Sequence, residues 1–166
     1  NTSPQIQAGT LTSQFTFAYA APITDFHPSD MNLTELLDRT AADWPDKMAM
    51  IEGDSTVSYS GLLEMTLAFK AQLEAFQLPP GCRVGICFPN SISYVALTFA
   101  SWRINAVVVP IPTECREEEE SNIATAMQLG AILRRKPREG SVALGRDVWF
   151  TRRAPALPGP TPGRGR

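Results

Sequence analysis

The side chains able to do chemistry are few and poorly assembled for it. Cys82, Cys87 and Cys115 are the only thiols and His27 the only imidazole. Three cysteines without a CxxC pair, beside one histidine, do not make a metal site. Cys82 and Cys87 stand five apart on a predicted strand, so they face opposite sides and read as buried free thiols. His27 lies beside Pro28 in an irregular stretch, which suits a surface or packed role rather than a general base. Tyr59 and Tyr94 sit in apolar-patterned segments and read as packing residues. Glu117 to Glu120 form the longest charge run. Acidic residues are favoured in the first turn of a helix, so the run reads as a solvated helix start. Arg134, Arg135, Lys136 and Arg138 form a basic cluster without an interleaved aromatic platform, apart from Trp149-Phe150 further on. That is a poor nucleic-acid surface and reads as an incidental basic segment. The turn Pro89-Asn90-Ser91 opens a helix whose first N–H groups could meet an anion. No GxxxxGK[ST] loop and no GxGxxG between strand and helix occurs. Residue types and spacing therefore assign no catalytic, cofactor-binding or metal-binding residue.

The elements that would position these residues follow from periodicity. Leu33, Leu36, Leu37, Ala41 and Trp44 recur at helix spacing after Asn32, which with Glu35 resembles a capping box, and Pro45 ends the helix. Residues 47–52 and 55–59 flank Gly53-Asp54 as a hairpin. Ser58 or Ser60 can cap a second helix striped by Leu62, Met65, Phe69, Leu73 and Phe76, which Pro79-Pro80-Gly81 ends. Residues 83–88 read as a buried strand. A third helix follows, with Ile92, Val95, Ala96, Phe99 and Trp102 available for burial. Asn105 suits a left-handed helix end, and Val107-Val108-Val109 reads as a strand covered on both faces. A fourth helix from the glutamate run ends at Gly130, and Ala131-Ile132-Leu133 reads as a further buried strand. Strand, helix, strand, helix, strand from 83 to 133 predicts a parallel sheet with right-handed crossovers.

The 166 residues suffice for one domain, and 43% apolar content excludes wholesale disorder. No apolar run approaches the roughly 20 residues of a membrane span. The opening Asn1-Thr2-Ser3 carries no initiator Met and no signal-peptide pattern, so a cytoplasmic location is the expectation. The net charge of −2 conceals a reversal: residues 1–133 hold 6 basic and 15 acidic side chains, residues 134–166 hold 9 and 2. Four divisions follow: an irregular N-terminal arm over 1–30, an α/β unit over 31–133, a basic connecting segment over 134–150, and a disordered Pro/Gly/Arg tail over 151–166.

From Asn32 to about Leu133 the sequence resembles the N-terminal subdomain of the AMP-forming adenylating enzymes, most closely the acyl-CoA and fatty-acid synthetases. Trp44-Pro45-Asp46-Lys47-Met48-Ala49 resembles that family's opening turn. Thr56-Val57-Ser58-Tyr59-Ser60-Gly61-Leu62 resembles its L-T-Y-x-E-L motif, and Pro80-Gly81-Cys82-Arg83-Val84-Gly85-Ile86 its G-D-R-V strand. Phe88-Pro89-Asn90-Ser91 and Arg103-Ile104-Asn105-Ala106-Val107-Val108-Val109-Pro110 resemble two further motifs. Gly61, Cys82 and Asn105 stand where the family prefers Glu, Asp and Gly. The resemblance implies a partial doubly wound parallel sheet. It also implies a two-step reaction in the intact enzyme. ATP, with Mg, converts a carboxylic acid to an acyl-adenylate, and a thiol such as CoA or that of a carrier protein displaces AMP.

The family's Thr/Ser/Gly-rich triphosphate loop and its lysine on a C-terminal lid have no counterpart in these residues. The expectation is a truncated family member, inactive alone, with either a frameshift or premature stop near Leu157 or a non-coding or shifted frame after about Leu133. The alternative is a non-catalytic α/β interaction module, in which an incomplete sheet would leave apolar surface for self-association. A Rossmann-type oxidoreductase is disfavoured by the missing glycine fingerprint.

Overall fold

The computed structural model describes residues 32–145 and 147–153. The arm over 1–30 with His27, and the tail beyond Arg153, lie outside the described residues.

Helix α1 (Leu33–Asp43) starts at Asn32, whose side chain accepts a hydrogen bond from the Thr34 N–H. Its buried stripe is Thr34, Leu37 and Ala41. Leu33, Leu36 and Trp44, expected on that stripe, are exposed, Trp44 by 60%. Among the described residues α1 packs on α2 and α3, and the apolar residues outside that contact stay exposed. The hairpin forms as predicted: β1 (Met48–Glu52) pairs antiparallel with β2 (Ser55–Ser58), and Gly53 takes φ +58° at the turn. Ser58 caps α2 (Tyr59–Glu74) by accepting from the Gly61 N–H. Ser60, the other candidate cap, donates instead to the Pro45 carbonyl at 2.8 Å and ties the helix start to the end of α1.

The main sheet is built by β3 (Arg83–Cys87), β4 (Val107–Pro110), β5 (Ala131–Arg134), β6 (Val142–Gly145) and β7 (Val148–Arg152), in the order β4-β3-β5-β7-β6. β4, β3 and β5 are parallel; β7 runs antiparallel to β5, and β6 to β7. Helix α3 (Ile92–Arg103) connects β3 to β4, and α4 (Glu117–Ala126) connects β4 to β5. Asn105 does take φ +57° at the end of α3.

Two apolar layers sandwich this sheet. Val84, Ile86, Ala131 and Leu133 face Leu73 of α2 and Leu97 and Ala100 of α3. Ile132 and half-buried Cys87 face Val109, Ile111 and Ala124. The alternation of β-strand side chains thus distributes β3 and β5 between a face covered by α2 and α3 and a face covered by α4. Cys82 and Cys87 do fall in opposite layers, although both are half-buried rather than buried, as is Cys115.

Three sequence expectations are corrected. Val108 and Val109 do pack into the two opposite layers, but Val107, at the start of the edge strand β4, is 49% exposed. Residues 142–152 are not connecting sequence. They form the hairpin β6–β7, in which Val148 and Phe150 alternate into the α2–α3 layer. Thr151 and Arg152, expected to open a disordered tail, complete β7, opposite Ile132 and Ala131. The sheet is accordingly mixed, not wholly parallel.

Phe150 fastens the hairpin to the core by stacking on Phe76, with ring centroids 3.8 Å apart and planes inclined by 18°. Phe150→Ala removes this contact and leaves a cavity, which should destabilise the protein by about 3–5 kcal/mol in chemical denaturation. A loss near zero would mean that the hairpin does not belong to the cooperative core.

Candidate functional site

In open α/β sheets ligands bind outside the carboxyl ends of the strands. Here those ends surround a cleft of about 410 Å³. Cys87 and Pro89 follow β3, Thr113 and Cys115 follow β4, and residues 134–138 follow β5; Glu120 of α4 completes the lining.

The geometry around β5 comes from strand alternation. Arg134 stands two residues after Ile132, on the α4 side of the sheet. It is 6% exposed, and its Nη2 donates to Oε1 of Glu120 at 2.6 Å. Glu120 is 5% exposed, at the fourth position of the glutamate run. Its Oε2 lies 3.6 Å from Nη2 of Arg138, whose Nη1 pairs with Glu117 at 2.8 Å. The run and the basic cluster therefore form one network across the start of α4 and the end of β5. The expected solvated helix start is corrected at Glu120, and the incidental basic segment is corrected at Arg134 and Arg138. A buried carboxylate and a buried guanidinium persist only as partners. Burial pushes the Arg134 pKa below the ordinary guanidinium value, with Glu120 opposing that shift. Its Nε–H has no hydrogen-bond partner among the described residues.

Burial also raises the Cys87 pKa, helped by the Glu120 charge and opposed by Arg134. The Cys87 thiol faces the Pro112 carbonyl at 3.6 Å. Burial raises the Cys82 pKa likewise. Such thiols stay protonated near neutral pH and are weak nucleophiles.

The start of α3, considered above as an anion site, is already filled. Ser91 Oγ accepts from the Tyr94 N–H at 3.1 Å, and Oε2 of Glu52 accepts from the Ile92 N–H at 2.8 Å. A carboxylate from β1 thus stands where an anion would bind. Tyr94 packs against the α2–α3 layer and Tyr59 against the cluster between α1, α2 and the hairpin. Among the described residues no group of three or more His, Cys, Asp or Glu could hold a metal ion. No helix there is long and apolar enough to cross a membrane.

Sequence reasoning missed the Glu120–Arg134 pair and the Glu52 cap. The first had a signal: Glu120 is in helical phase with Ile123 and Ala124, and Arg134 in strand phase with Ile132. The second joins residues 40 apart in sequence, and no local pattern announces it.

Residues 37–152 match the family model described as AMP-binding enzyme. Among curated proteins, the chain is 29% identical over 106 residues to nonribosomal peptide synthetase 8 of Aspergillus fumigatus, covering 64% of the chain and 1% of that protein. It is 29% identical over 92 residues to the probable CoA ligase CCL9 of Humulus lupulus, covering 55% of the chain and 18% of that protein. Among solved structures, the N-terminal domain of FACL13 from Mycobacterium tuberculosis superposes with a TM-score of 0.58 at 25% identity, over 61% of the chain and 26% of that domain. The NpsA N-terminal subdomain of Klebsiella oxytoca, solved with anthranilyl-AMSN, gives 0.56 at 24% identity, over 59% and 26%, a likeness of fold. The chain thus spans a small part of these curated relatives and about a quarter of these solved structures.

Glu120→Gln leaves a buried guanidinium without its carboxylate and should cost about 3–5 kcal/mol, read from denaturation midpoints. Replacing Glu120 and Arg134 together by leucine should recover most of that loss. A single-variant cost below about 1 kcal/mol would show that solvent reaches the pair.

Proposed function

The chain belongs to the AMP-binding enzyme family, and on that premise we propose that it supplies the N-terminal part of an enzyme activating a carboxylic acid with ATP. In that reaction the carboxylate attacks the α-phosphate and releases pyrophosphate. A thiol then takes the acyl group and releases AMP. The observation that supports this reading best is the coincidence of the family match over residues 37–152 with the β4-β3-β5 parallel core and its two helical layers.

A fatty acid and CoA are the first acid and acceptor to test, with amino acids and a carrier-protein thiol beside them. The similarity to a probable CoA ligase supports trying CoA, and that to a nonribosomal peptide synthetase supports trying amino acids. The same reading places the enzyme in the cytoplasm and gives it no nucleic-acid partner.

The 166-residue chain alone is inactive in this proposal. The chemistry needs groups that position and neutralise a triphosphate. The sequence holds no Thr/Ser/Gly-rich phosphate loop, and its lysines, Lys47, Lys70 and Lys136, lie in the β1 turn, in α2 and in the basic cluster.

A second reading, a non-catalytic interaction module, is favoured by exposed apolar side chains at Trp44, Met48 and Ile51, the last 63% exposed. Exposed apolar side chains can promote association where they gather into a patch.

Acid-dependent ATP–pyrophosphate exchange by the purified chain, with fatty and amino acids in turn, should stay at the no-acid background. Exchange above it overturns the proposed inactivity. Reading the gene and transcript past codon 166 in all three frames tests the parent reaction. A phosphate loop followed by the rest of the enzyme supports it. Absence of one from every frame, together with concentration-dependent association in sedimentation, transfers the assignment to the interaction module.

A further inference from the structure

Of the features that the adenylation reading leaves unused, the cleft at the carboxyl ends of β3, β4 and β5 carries the most. It is lined by four cationic side chains, Arg134, Arg135, Lys136 and Arg138, against one carboxylate, Glu120. Glu120 is engaged by Arg134 and Arg138, and Arg138 is engaged again by Glu117. Arg135 and Lys136 have no acidic partner within 4.0 Å among the described residues. Arg135 and Lys136 therefore keep their charge outside the ion pairs, while the carboxylates of Glu114 and Glu119 stand near Thr113 and Cys115 of the lining. Arg134, 6% exposed, is fixed in the wall by its ion pair with Glu120. Guanidinium groups match phosphate oxygens with paired donors, and a lysine adds a point charge.

We propose that this cleft binds a small phosphorylated ligand, with Arg134 and Arg138 held in place by the Glu117–Glu120 carboxylates and Arg135 and Lys136 supplying the free charge. A dianionic phosphomonoester matches the two unpaired cations, Arg135 and Lys136, and about 410 Å³ is room for a phosphate with a small organic body. The site uses this chain's own residues and does not rest on the adenylation reading, so either can fail without the other.

Calorimetric titration of the full 166-residue chain with inorganic phosphate, at ionic strength held constant with chloride, should show saturable binding. Succinate, a dianion of different geometry, should bind more weakly. Arg135→Gln/Lys136→Gln changes charges outside the buried network, so the protein should fold, as circular dichroism would confirm. Phosphate affinity should fall by about tenfold or more, because two charge-assisted contacts are lost. Because Cys87 and Cys115 line the cleft, phosphate should also slow alkylation by iodoacetamide in a Cys82→Ser background. Binding unaltered in the double variant, succinate binding as well as phosphate, or heats no greater than those of chloride would each overturn the proposal.

Discussion

A strand flanked by parallel neighbours on both edges must bury both of its own faces, and β3 shows what that demands. Val84 and Ile86 point into one layer while Gly85 and Cys87 point into the other. On the second face the space beside Gly85 is taken. A Cβ there would lie 2.6 Å from Cδ1 of Ile111 and 2.8 Å from Cδ1 of Leu129. The missing side chain is what lets the segments around α4 close onto the sheet, and interiors packed to crystal density have no slack to absorb an added carbon. The position of α4 then sets where Glu120 meets Arg134, and so the shape of the carboxyl-end cleft.

Local structure was legible wherever a single residue type answers a backbone demand. Asn105 accepts a left-handed φ at the end of α3, Gly53 turns the hairpin, and Ser58 and Ser91 satisfy orphan N–H groups at helix starts. The order from β3 to β5 was legible because apolar period and connection length agree. What failed was the inference from apolar pattern to burial. Val107 and Trp44 have apolar side chains at the right period, yet they stay 49% and 60% exposed. Pattern says which face could be buried; only topology says whether a partner arrives. Residues 142–152 failed in the opposite direction. Their basic and glycine-rich surroundings hid the alternation Val148, Phe150 that inserts β7 into the core.

The candidate site was legible in composition but not in arrangement. The glutamate run and the basic cluster are both conspicuous, and each taken alone reads as solvated charge. Their meeting depends on β5 lying beside β3 while α4 crosses the face that Ile132 and Arg134 share. The Glu52 carboxylate at the start of α3 is a similar case. Helix geometry advertises that anion site, but the hairpin brings its own anion to fill it.

The Glu117–Arg138–Glu120–Arg134 network is better understood as a positioning device than as a source of stability. Removing two charges from water costs several kcal/mol per ion, which their attraction roughly repays when the geometry is good. An apolar pair of similar volume would hold α4 to β5 as well. What apolar residues would not do is fix the direction of two guanidinium groups at the mouth of a cleft. Glu120 holds Arg134 at 2.6 Å and Arg138 at 3.6 Å, so Arg134 cannot rotate away without costing the buried carboxylate its shorter contact. The arginine side chains lose their rotational freedom during folding, and a ligand arriving later does not bear that cost. Arg135 and Lys136, free of acidic partners among the described residues, keep their charge for whatever enters. The same four residues thus divide into a pair held by the fold and a pair left to solvent, which is the arrangement that selective recognition of a small anion requires.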